Sequence, residues 1–179
     1  IAGIINYQSS EEKSLLTKMT KFLHHRGPDA TGTYAQGPAN LAHTRLSIID
    51  LNSGDQPIHN ENKTIWIVFN GEIFNYPELK NQLLAKGHKF YTKTDTEVII
   101  HLYEEFGTQL FDHLNGQFAF AIWDQNTEEL LLGRDRMGIR PLFYCHNHHR
   151  LVFASEIKAI FADNTIPRQI DPANLSDIF

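Results

Sequence analysis

The chain has 179 residues, 41% of them apolar and 21% charged, with a formal charge of -5 and a pI near 6.0. That length supports one packed domain, the composition excludes a disordered tail, and the acidic balance argues against nucleic-acid binding. No apolar run reaches about 18 residues, so no membrane partner is expected. A single cysteine, Cys145, excludes an internal disulfide framework, and a reducing, cytoplasmic setting is the default.

Ile1 to Asn6 reads as a buried strand from its first residue, too short and lacking the basic leader of a secretory signal. Ser9-Ser10-Glu11-Glu12 resembles a helix start, followed by Leu15, Leu16, Met19, Phe22 and Leu23 at helical spacing. His25-Arg26-Gly27-Pro28-Asp29 ends that helix. Thr31 to Ala35 and Asn40 to Ile49 predict two strands, and Leu51 to Gln56 a polar loop. The apolar strand Thr64 to Phe69 is expected to stop at Asn70-Gly71, with the chain turning through Ile73 to Pro77.

Pro77 suits the first turn of a helix whose apolar face carries Leu79, Leu83 and Leu84. Thr94-Asp95-Thr96-Glu97 signals a helix N-terminus ahead of Val98, Ile99, Leu102 and Tyr103. From Gln117 onward the pattern is extended, in runs at Phe118 to Trp123, Glu129 to Leu132, Leu142 to Cys145 and Leu151 to Phe153. Phe118 to Trp123 is apolar on both faces, which predicts a strand buried between layers. A short helix is expected near Ser155 to Phe161. Helices between groups of sequential strands suggest a layered α+β sandwich.

Several polar residues interrupt these apolar elements. Asn70 and Gly71 offer a side-chain amide and a backbone N–H, the two convergent donors that an oxyanion hole needs, although Asn-Gly is also a common turn. Arg45 lies in a strand otherwise fit for the core and requires an anion. That anion is either Asp50 or Glu72 in an internal salt bridge, or a ligand carboxylate held bidentately. Asp95 reads as a helix cap, or, with Glu72 and Arg45, as part of a site that recognises an amino acid. His146, His148 and His149 suit a solvated hairpin better than a metal centre, and His24-His25 suits a helix end. Cys145, among apolar neighbours, reads as an inert thiol.

His25-Arg26-Gly27-Pro28-Asp29, Arg45-Leu46-Ser47-Ile48-Ile49-Asp50, Asn70-Gly71-Glu72-Ile73-Phe74-Asn75-Tyr76, Thr94-Asp95-Thr96-Glu97 and Gly133 to Leu142 follow one another in an order that resembles the class II glutamine amidotransferase domain. Pro28-Asp29 and Glu72-Ile73 favour the branch found in glutamine-hydrolysing asparagine synthetases. The resemblance implies an N-terminal-nucleophile hydrolase fold, a four-layer αββα sandwich of mostly antiparallel sheets, with the glutaminase domain at 1–162 and a connection towards a synthetase domain at 163–179. It implies L-glutamine as substrate. Arg45 would hold its α-carboxylate, with Leu46, Ser47, Ile48 and Ile49 lining the pocket. Asp95 and the Glu72 segment would hold the α-ammonium, and Asn70 and Gly71 would form the oxyanion hole.

The family nucleophile is an N-terminal cysteine with its own α-amine as base. The family opens Met-Cys-Gly-Ile, whereas this chain opens Ile1-Ala2-Gly3-Ile4, so Ile1 corresponds to the position two after that cysteine. The chain as it stands is therefore expected to be inactive. No cofactor or metal is expected in this domain; ATP and Mg are expected for a synthetase domain acting in cis, and a homodimer is a candidate assembly. The alternatives are a silent scaffold beside a synthetase that does not use glutamine, or an amidotransferase with a sugar or peptide acceptor.

Overall fold

Phe118, Phe120 and Ile122 face one way along a nine-residue strand, and Ala119, Ala121 and Trp123 face the other; both sets are buried. Such a strand must lie inside a stack, and the computed structural model, which describes residues 1–8, 12–46, 54–147 and 149–169, builds that stack in four layers. The strands are β1 (Ala2–Asn6), β2 (Ala30–Gln36), β3 (Ala39–Arg45), β4 (Ile58–His59), β5 (Ile65–Ile73), β6 (Gly116–Asp124), β7 (Glu129–Arg134), β8 (Phe143–His146) and β9 (Arg150–Ala154). The helices are α1 (Lys13–Leu23), α2 (Tyr76–Ala85), α3 (Thr96–Phe106) and α4 (Ile157–Ile160). One antiparallel sheet runs β2-β3-β1-β9-β8 and the other β4-β5-β6-β7.

Strand alternation divides the apolar residues into three sheets of contact. Leu16, Met19 and Leu23 of α1 pack with Ile160 of α4 on Ile4, Ala42 and Val152 of the first sheet. Ile1, Leu41 and Phe153 meet Val68, Ala121 and Trp123 between the sheets. Leu79 and Leu83 of α2, with Val98, Ile99 and Leu102 of α3, cover Ile67, Phe69 and Phe120 on the far side. Phe22 and Leu84, predicted on the apolar faces of their helices, stay 47% exposed because the stripes centre on their neighbours.

Three elements differ from the sequence expectation. β3 ends at Arg45 rather than Ile49, where Asp29 N–H binds the Arg45 carbonyl at 3.0 Å; residues 47–49 lie outside the described set. β5 runs on through Asn70-Gly71-Glu72, because β6 pairs with it as far as Ile73 opposite Gly116. The two-residue β4 was not foreseen. At the start of α1, Glu12 makes no cap and instead accepts from Asn6 at 2.6 Å and pairs with Arg150 at 3.4 Å; residues 9–11 are outside the described set. Beyond α4, Ile166 joins the α1-side cluster, and Asp163 pairs with Arg150.

Asp135 closes the other end of β6. Its carboxylate accepts from Phe118 N–H at 3.1 Å, Ile139 N–H at 2.9 Å and Arg140 N–H at 3.0 Å. Burial pushes its pKa up, but the three amides and Arg134 outweigh that and hold it below the usual carboxylate value. This support is present at neutral pH and is lost as the pH falls through the lowered value. Asp135→Ala should cost about 3 kcal/mol in urea unfolding, since it strands three amides; a loss below about 0.5 kcal/mol, the range of neutral surface changes, would contradict this role.

Candidate functional site

Amide direction along β5 alternates, and this decides what the Asn70-Gly71 segment can do. Gln125 N–H reaches the Thr64 carbonyl at 2.9 Å and Phe74 N–H reaches the Asn115 carbonyl at 2.8 Å, so even-numbered residues bond towards β6. Odd-numbered residues point their N–H to the opposite edge, which β4 covers only beside Trp66 and Ile67. Beyond β4, Gln56 Oε1 accepts from Phe69 N–H at 2.6 Å, and Asp95 Oδ2 accepts from Ile73 N–H at 2.8 Å. Gly71 N–H lies between these two, and no hydrogen bond among the described residues takes it. A side chain at Gly71 is impossible without moving β6, because its Cβ would lie 2.1 Å from the Gln117 carbonyl oxygen.

Asn70 follows Val68 on the face turned towards the other sheet. Its Nδ2 is buried and has no hydrogen-bond partner. A buried amide without an acceptor is costly in a native core, and such groups call for an explanation. Two unengaged donors therefore sit on consecutive residues, one from the side chain and one from the backbone. The turn reading of Asn-Gly is excluded by the continuing strand.

Arg45 enters from the end of β3, on the face shared with Leu41 and His43, and is 7% exposed. Its Nη1 lies 2.6 Å from Asp55 Oδ1, whose side chain is 78% exposed. The carboxylate among the described residues is that of Asp55, on the loop before β4, and Asp50, one of the two expected partners, lies outside the described residues. The guanidinium also abuts Gly54, where a Cβ would come within 2.6 Å of Nη2 and 3.0 Å of Thr94 Cγ2. Gly54 thus joins Arg45 to the segment that carries Asp95. Leu46 is 54% exposed just beyond β3, and Ser47, Ile48 and Ile49 lie outside the described residues.

Asp95 stands immediately before α3, where the sequence predicts a helix start, but makes no capping hydrogen bond, because its carboxylate takes the Ile73 amide instead. Burial raises its pKa, the exposed Glu72 carboxylate adds to the rise, and the Ile73 amide opposes it. Glu97, the other acid of that signal, accepts from Tyr91 N–H and Thr92 N–H at 2.9 and 2.7 Å. His43 and Gln56 belong to this neighbourhood and escaped sequence reasoning. The Gly54-Asp55-Gln56-Pro57 stretch gave only a loop signal, and His43 only an apolar strand around it.

Of the remaining candidates, His24 follows the last residue of α1 as the expected helix end, and His25, in the next turn, also reaches Glu156 Oε1 at 2.9 Å. His146 and His149 flank the β8–β9 turn, and His148 is outside the described residues. Cys145, half-buried on β8, packs on the α1 side of its sheet, in a different layer from Asn70.

His43 is buried with Nδ1 unpartnered, and burial, the Ile1 amino group and Arg45 together push its pKa down to about 3. The unfolded chain takes up that proton near the ordinary histidine value of 6.5, so stability should rise with pH between about 3 and 6.5. His43→Gln should flatten this part of the pH profile in thermal melts; an unchanged slope would contradict a neutral, buried His43.

Arg45, Glu72 and Asp95 thus supply a cation and two carboxylates, and Asn70 and Gly71 two unengaged donors. The family model described as the glutamine amidotransferase domain matches residues 1–179. Asparagine synthetase [glutamine-hydrolyzing] 2 of Bacillus subtilis is 44% identical over 184 residues, covering 100% of this chain and 24% of that protein. Asparagine synthetase B [glutamine-hydrolyzing] of Escherichia coli is 41% identical over 163 residues, covering 89% of this chain and 29% of that protein. The chain therefore spans less than a third of the relatives it matches. Among solved structures, the glutamine phosphoribosylpyrophosphate amidotransferase of B. subtilis superposes with a TM-score of 0.76 at 23% identity, covering 90% of this chain and 42% of that one. That likeness carries the fold, two antiparallel sheets packed face to face between helices.

Proposed function

Because the chain belongs to the glutamine amidotransferase domain family, we propose that it is the glutaminase part of an asparagine synthetase, releasing ammonia from L-glutamine for an ATP-dependent synthetase domain in cis. The observation that carries this reading is the pair of unengaged donors on consecutive residues, Asn70 Nδ2 and Gly71 N–H, together with the buried cation of Arg45. Arg45 holds the α-carboxylate in competition with Asp55, a solvent-exposed partner that gives up little on release. Asp95 and Glu72 face the α-ammonium. That arrangement sets the side-chain carboxamide against Asn70 and Gly71.

The nucleophile in this reading is a cysteine two residues before Ile1. Ile1 faces the layer between the sheets, and residues two apart on a strand share a face, so that cysteine would point to the side on which Asn70 lies. Ala2 pairs with Ala42, and continuing the register by three residues sets the cysteine opposite Arg45. The thiolate attacks the carboxamide carbon, the oxyanion falls to the two donors, and the C–N bond breaks as the amino terminus returns its proton to the leaving ammonia. Water then hydrolyses the glutamyl thioester to glutamate. This half needs no cofactor, and ATP and Mg belong to the synthetase step.

Ammonia release, measured on the chain as it stands and on one extended by Met-Cys-Gly with the methionine removed, tests the reading: only the extended chain should be active. Asn70→Ala in the extended chain should lower kcat about 10²–10³-fold. Arg45→Ala should lower kcat/KM by an amount equivalent to about 2–3 kcal/mol. An extended chain that is folded and inert would sink the reading.

A further inference from the structure

Away from this pocket, four side chains scattered in sequence converge. Glu61 lies in the turn between β4 and β5, His88 in the connection from α2 to α3, and His101 and Glu104 one turn apart on α3. One ligand atom from each lies within 4.8 Å of all the others. His101 Nδ1 is 2.7 Å from Glu104 Oε2 and 3.9 Å from Glu61 Oε2, while His88 Nδ1 is 3.5 Å from Glu104 Oε2 and 4.0 Å from Glu61 Oε1. Ligands about 2.0 Å from one tetrahedral ion stand about 3.3 Å apart, so these separations bracket that requirement.

We propose that Glu61, His88, His101 and Glu104 form a binding site for a divalent transition-metal ion, with zinc the best match, that ties the α2–α3 connection and the turn before β5 to α3. Two neutral imidazoles and two carboxylates balance a 2+ charge, and imidazole nitrogen selects zinc over magnesium or calcium. The surroundings carry the proposal further than the cluster does. Ligating imidazoles present one nitrogen to the metal and the other to a carboxylate or carbonyl. Here the outward nitrogen of His88 meets Glu105 Oε1 at 3.1 Å, and the outward nitrogen of His101 faces Glu97 Oε1 at 3.8 Å.

The carboxylates are oriented in the same way. Lys89 N–H donates to Glu61 Oε1 at 2.9 Å and Asn60 Nδ2 donates to Glu104 Oε1 at 2.8 Å, leaving Oε2 of each towards the centre. Glu97 is itself fully buried and fixed by the Tyr91 and Thr92 amides and the Thr92 hydroxyl. Nothing in this proposal depends on glutamine chemistry.

The test is calorimetric titration of the whole chelator-treated chain with zinc chloride, with cobalt(II) absorption as a second readout. One zinc per chain is expected, with a visible cobalt spectrum of four-coordinate type and a raised Tm. Glu61→Gln, at the most exposed ligand, should keep the far-ultraviolet circular dichroism and weaken zinc binding at least about tenfold. His88→Ala should do the same, so the result does not rest on His101→Ala, which would empty a fully buried position. A chain in which His146 and His149 are both alanine should bind as the parent does. Absence of stoichiometric binding, binding unchanged in Glu61→Gln and His88→Ala, or binding lost with the hairpin histidines would each overturn the proposal.

Discussion

A strand edge left open for half its length is the constraint around which the site is organised. β5 is paired with β6 throughout but with β4 only at Ile58 and His59, so the Phe69, Gly71 and Ile73 amides need acceptors from elsewhere. Gln56 and Asp95 supply two of them from separate loops, and in doing so anchor those loops to the sheet. The Gly71 amide is left without an acceptor among the described residues. The same edge that would invite aggregation in a bare sheet is here closed by side chains on both flanks and kept available at its centre.

The layered core makes that edge rigid. Because β6 is apolar on both faces, β5 is clamped between helices on one side and the first sheet on the other. Asn70 is consequently held in a layer where its buried amide has no protein partner, and a donor fixed in that way needs no reorganisation when negative charge develops beside it. Arg45 is positioned by an independent route: Asp29 binds its carbonyl and Gly54 walls its guanidinium. The buried cation and the two unengaged donors thus arise on different sheets.

Much of this was legible in the residues. The two-sided apolar run at Phe118 to Trp123 predicted a central strand, Arg45 stood out as a cation among core residues, and Asn70-Gly71 as a pair of donors. The errors have a common physical origin, since local signals lost to tertiary demands. Asp95 carries a capping signal, yet a stranded amide 22 positions earlier takes its carboxylate. Asn-Gly carries a turn signal, yet nine residues of pairing with β6 keep it extended. Gln56 carries no signal at all, because its role exists only once β4 stops short. The Glu61, His88, His101 and Glu104 cluster is equally hidden, with the three-residue spacing on α3 its single local trace.

The open centre of β5 can be tested by a crystal structure of the chain with L-glutamine. The geometry predicts the α-carboxylate at Arg45, the ammonium at Asp95, and the carboxamide oxygen within hydrogen-bonding distance of both Asn70 Nδ2 and Gly71 N–H. A glutamine bound at Arg45 with its carboxamide turned away from those two donors, or bound elsewhere on the sandwich, would contradict it.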